Sequence, residues 1–137
     1  HLIPDISNCT GHCALDLGEE DFTVGRPHPM IDNELRIERM RQEAGDPHTA
    51  GILFDVVLGY GAHPHPAEEL AEAIKMILAE ESQKDHPLEF MCSLTGTQAD
   101  PQGFDASKAV LQDAGVIVCE SNAQAARMAA YLVKREE

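Results

Sequence analysis

The sequence predicts a doubly wound α/β domain: a mostly parallel sheet with helices on both faces. Three observations lead there. Short apolar runs rich in β-branched residues alternate with stretches of helical spacing in the order β-α-β-α-β-α-β-α, which demands right-handed crossovers between parallel strands. The stretch Gly51–Pro66, GILFDVVLGYGAHPHP, passes from an apolar strand through a glycine loop into a helix, which is half of a βαβ unit. Finally, 137 residues make one domain, and 43% hydrophobic content with only 4% aromatics and no Trp calls for an aliphatic core.

The elements follow in order. His1–Gly11 has no clear periodicity. Cys13-Ala14-Leu15-Asp16-Leu17 reads as a short strand ending at Gly18, followed by a polar loop to Pro29. Met30 to Ala44 reads as a helix with Met30, Ile31, Leu35, Met40 and Ala44 near helical spacing and Asp32 just inside its start. Gly45-Asp46-Pro47 stops it. Ile52 to Leu58 is interrupted only by Asp55 and reads as a strand buried on both faces. The next helix runs from about Ala67 to Ser82, with Leu70, Ala73, Ile74, Ile77 and Leu78 on one face and Glu68, Glu69 and Glu72 at its positive end. After the linker Lys84–Pro87, Leu88–Leu94 is a third strand, and a helix from about Asp105 to Ala114 stops at Gly115. Val116–Cys119 is the fourth strand. Ser121-Asn122-Ala123-Gln124 is a capping-box pattern that opens the last helix, which runs through Met128, Ala129, Leu132 and Val133.

Asp plus Glu outnumber Lys plus Arg by 24 to 10, a net charge of −14. So acidic a surface argues against nucleic acid and anionic membranes as partners. No segment approaches the roughly 18 apolar residues of a membrane span, and no signal peptide is visible. The chain begins at His1 and enters structure almost at once, so a fragment of a longer, cytoplasmic protein is expected. Cys92 and Cys119 fall in core strands, as small hydrophobes. Cys9 and Cys13 superficially frame a metal knuckle, but the spacing is not Cys-x-x-Cys and no second pair follows; reduced thiols fit better.

Loops that follow parallel strands emerge at one edge of the sheet, where ligands bind. The first carries Arg26 and His28; the second Gly59, Gly61, His63 and His65; the third Thr95, Gly96, Thr97, Asp100 and Gln102. Arg26 with the amides around His63–Ala67 suits a carboxylate or phosphate, the alternative being an ion pair to Glu19, Glu20 or Asp21. His28, His63 and His65 could bind metal, but each adjoins a proline that limits how the rings converge, and no metal is expected. Asp55 either supports a neighbouring loop or faces the site. There is no GxGxxG, no phosphate-loop lysine and no legible Ser-His-Asp arrangement, so no catalytic residue is assigned.

Asp16-Leu17-Gly18, Phe22 through Asp32, Asp55 through Pro64, Gly96-Thr97, Asp100-Pro101-Gln102, Ala114-Gly115-Val116 and Ser121-Asn122-Ala123 together resemble the signature of the bacterial FdrA family. That family is similar to the succinyl-CoA synthetase α-subunit, a Rossmann-type CoA domain followed by a flavodoxin-like ligase domain. The resemblance implies that residues 1–137 form the ligase-type domain of a longer chain. CoA would be bound mainly by an upstream domain, and other protein subunits would take part. Succinyl-CoA synthetases carry a phosphorylated histidine in a Gly-His-Ala-Gly loop. The corresponding loop here, Thr97 to Asp105, contains no histidine, and the supporting glutamate expected near Val56–Leu58 is absent. The implied function is that of an FdrA-type acyl-CoA synthetase relative acting on a small carboxylate or acyl group. The alternatives are a subunit of an oxamate carbamoyltransferase complex in allantoin breakdown, or a non-catalytic assembly or regulatory domain.

Overall fold

The computed structural model describes residues 11–81 and 87–134. Three parallel strands, β1 (Gly51–Val57), β2 (Glu89–Thr95) and β3 (Ile117–Cys119), form a sheet in that spatial order. The register pairs Ile52 with Phe90, Phe54 with Cys92 and Val56 with Leu94, and β2 pairs Cys92 with Val118. Five helices surround it: α1 (Glu20–Thr23), α2 (Glu34–Ala44), α3 (Pro66–Glu80), α4 (Phe104–Asp113) and α5 (Asn122–Lys134).

The period of two along each strand sorts side chains between faces. Phe54, Val56 and Leu58 join Phe90, Cys92 and Leu94 in one core with Met40 and Ala44 of α2, Leu70, Ile74 and Ile77 of α3, and Leu111 of α4. Each fully buried Leu or Ile there contributes about 1.5–3 kcal/mol. The opposite face is covered by α5, which crosses the strands and bonds to the sheet through Ser93 Oγ donating to Asn122 Oδ1. Helices thus lie on both faces, as the alternation requires.

Several expectations need correction. Cys13–Leu17 is not a strand: Cys13 and Ala14 are exposed, and Asp16 Oδ1 accepts the Gly18 N–H at 2.9 Å, which turns the chain instead of extending it. Its loop contains the one-turn helix α1. Met30 to Asn33 is not helical. Asp32, outside α2, accepts the Glu34 N–H at 2.7 Å and so does the capping, because the side chain of Asn33 is engaged elsewhere. The apolar run of β1, interrupted by Asp55, is buried on one face only. β2, between two neighbours, buries Phe90 through Leu94 completely, but β1 lies at the sheet edge and leaves Leu53 43% exposed. Asp55 accordingly faces outwards and supports no loop. Arg36 of α2 donates to its backbone oxygen at 2.6 Å and lies 3.8 Å from its carboxylate. Cys9, Ser82 and Lys84–His86 lie outside the described residues.

Candidate functional site

At the carboxyl ends of β1 and β2 three loops are tied together. Pairing continues one step past β1, where Leu58 N–H donates to Thr95 O at 2.8 Å. Gly59 then takes φ +143°, a value side chains rarely allow, and lifts the chain off the sheet with Tyr60 exposed at its tip. The neighbouring loop passes close over Leu58: a Cβ on Gly96 would fall 2.7 Å from the Leu58 Cβ. That approach requires glycine.

Gln102 reaches across from the loop after β2. Its Oε1 accepts the Gly59 N–H at 3.1 Å, and its Nε2 donates to Gly59 O and His63 O, both at 2.9 Å. From the other side, His63 N–H donates to Met30 O at 2.7 Å, which joins the loop carrying His28 to the loop carrying His63.

The His63 ring is fully engaged. Its Nδ1 accepts the His65 N–H at 3.0 Å, which assigns the ring proton to Nε2, 3.2 Å from Glu69 Oε2. Asn33, 2% exposed, donates its side-chain amide to the same carboxylate oxygen at 2.8 Å. With both nitrogens used, this imidazole is held in one tautomer and presents no free lone pair to a phosphoryl group or a metal.

The remaining expected residues are placed as follows. Arg26 pairs with Glu38 of α2 at 3.1 Å rather than with Glu19, Glu20 or Asp21, because the first two turns of α2 run beside it. It lines an open groove of about 950 Å³ with Asp32, Glu34, Ile37, Glu38, Arg41, Gln42 and Glu69. His28 is exposed; its Nδ1 accepts the Met30 N–H at 3.2 Å, and its Nε2 lies over Gly18. His65 is exposed, with only Glu68 nearby at 4.0 Å. Thr97 N–H and Oγ1 both donate to Asp100 Oδ2, at 2.6 and 3.1 Å, closing the turn after β2. Thr95 and Gly61 are exposed and Gly59 half-buried. Among the described residues, no three His, Cys, Asp or Glu side chains group as metal ligands.

The structure therefore brings together Gly59, His63, Thr95 and Gly96 and places the His28 loop against them. Arg26 stands off in the α2 groove, and the His65 ring is exposed beside Glu68. Two participants escaped the sequence reading. Glu69 looks like an ordinary dipole-complementing acid, and Asn33 lies 36 residues before its partner, a separation at which no spacing rule operates.

Comparison with known proteins bears on this site. The CoA-ligase family model matches residues 4–132. A protein of Escherichia coli (strain K12) named "Uncharacterized protein YahF" is 38% identical over 136 residues, which is 98% of this chain but 26% of that relative. The chain thus spans about a quarter of the length of the curated relative it matches.

Proposed function

Because the chain belongs to the CoA-ligase family, we propose that it is the ligase-type domain of an FdrA-type acyl-CoA synthetase relative, which holds a small carboxylate or acyl group at the joined loops. The observation that carries this is the convergence of three loops through Met30, Gly59, His63 and Gln102 at the carboxyl edge, where open α/β sheets place their ligands. The N–H groups of Tyr60 and Gly61 have no partner among the described residues, and the loop leads into the positive end of α3. Arg26 takes no part in this cradle: it stands apart in the α2 groove, paired to Glu38.

Coenzyme A itself does not fit the residues present. The groove has two arginines against four carboxylates, and Arg26 and Arg41 are already paired, to Glu38 and Glu80. A polyanionic nucleotide would meet net repulsion there. We place CoA on an upstream Rossmann-type domain of the longer chain, with further subunits completing a cytoplasmic enzyme.

The Thr97–Asp105 loop has no histidine to phosphorylate, and His63 is committed to Glu69 and His65. Phosphohistidine chemistry on this domain is therefore not part of the proposal. The same observation favours a second reading, a subunit of an oxamate carbamoyltransferase complex, which needs no phosphohistidine. The test is product analysis with the full-length protein and its partner subunits. Acyl-CoA formed from carboxylate, CoA and nucleotide supports the first reading. Product formed from oxamate and carbamoyl phosphate supports the second, and neither product returns the domain to an assembly or regulatory role.

A further inference from the structure

We infer that Gln102 is a positioning residue that sets the Gly59–His65 loop and, through it, the His63 ring. Its carboxamide engages Gly59 as a neighbouring strand residue would, accepting from the N–H and donating to the carbonyl. It replaces backbone pairing at the point where the sheet ladder has ended. The second amide proton holds His63 O, while Glu69 Oε2 and the His65 N–H hold the two ring nitrogens. Main chain and ring of one histidine are thus fixed separately, the first from the loop after β2 and the second from His65 and the first turn of α3. Three of the four hydrogen bonds a glutamine can make are used on a single target segment. Because Gln102 belongs to the loop after β2, whatever binds at Thr95–Thr97 and whatever binds at Tyr60–Gly61 contact parts of one rigid unit.

No other side chain can make this contact. Glutamate keeps the acceptor for Gly59 N–H but turns two donations into contacts between a carboxylate and carbonyl oxygens. Methionine keeps the shape and loses all three bonds. Asparagine is one methylene short.

The inference rests on the proposed site only for its importance to ligand binding, and its test reads the loop directly. In the full-length protein, hydrogen exchange of peptides covering residues 59–65 should accelerate about tenfold or more in Gln102→Met and, at neutral pH, in Gln102→Glu. Peptides from α3 and β2 should keep their protection, which shows that the variants are folded. Lowering the pH through the carboxyl range, roughly 4–5, protonates the introduced glutamic acid and returns one donor, so the Gln102→Glu excess over wild type should shrink while that of Gln102→Met stays. The ¹⁵N signals of the His63 ring should move in both variants. Unchanged exchange in both variants, an excess that does not respond to pH, or an unmoved ring would overturn the inference. Titration with oxamate, a small carboxylate, separates the two proposals. If wild type fails to bind it while the exchange results hold, the site reading fails and the positioning role stands.

Discussion

Cys92 lies in the middle of β2, wholly buried, and burial pushes its thiol up from 9.0 to about 12, with smaller contributions from Cys119 and Asp55. In the unfolded chain the same thiol ionises at its ordinary value, so between those limits the folded state binds the extra proton. The sign follows directly. Below about 9.0 this group leaves stability independent of pH, and above it stability falls as pH rises towards about 12, at up to about 1.4 kcal/mol per pH unit. Denaturant titrations from pH 8 to 11 should show the fall, and Cys92→Ala should flatten it after allowance for its own loss of packing. Cys119 is buried too, whereas Cys13 is exposed, so Cys13 alone of these three should react with a thiol reagent before unfolding.

At the scale of elements, the start of α5 is closed by side chains. Ser121 Oγ accepts the Gln124 N–H at 3.2 Å, and Gln124 Oε1 reaches back to the Glu120 N–H at 2.7 Å. The reciprocity is that of a capping box, displaced by one residue on its return arm. Ser121→Ala should cost about 1 kcal/mol, measured as a lowered urea midpoint with unchanged slope. That motif was legible in the sequence because it is local. So were β1, β2, β3 and the α3 face Leu70–Ile74–Ile77, whose periods need no knowledge of the rest of the chain. The beginning of α2 was not: Met30 and Ile31 are apolar at helical spacing, but both remain exposed, and Met30 O is taken by the His63 N–H of a distant loop instead of a helical partner. Likewise the run Ile52–Leu58 states that β1 is apolar, not that it stands at an edge. Position within a sheet is decided by which strands pair, and pairing is not written in one strand. The site divides along the same line. Gly59, Gly96 and His63 could be named from their loops, whereas the links through Glu69, Asn33 and Gln102 depend on where separate loops come to rest.

At the scale of the whole molecule, the edge position of β1 has a colloidal consequence. Ala50 O accepts from Glu89 and Leu58 N–H donates to Thr95, so alternate peptide groups, at Leu53, Asp55 and Val57, face away from β2. A seven-residue strand whose outer row has no strand partner among the described residues is a template for fibrillar stacking. Arg36 sits on that row as a gatekeeper: its guanidinium occupies the Asp55 carbonyl and sets a charge on the outer edge of the strand. Burial lowers the affinity of that guanidinium for its proton and Asp55 partly restores it, yet arginine stays charged in either case, which suits it to the post. Arg36→Ala should therefore scatter light and bind thioflavin at concentrations where the wild-type chain stays clear. Arg36→Lys, with a charge but no planar fork, should fall between them.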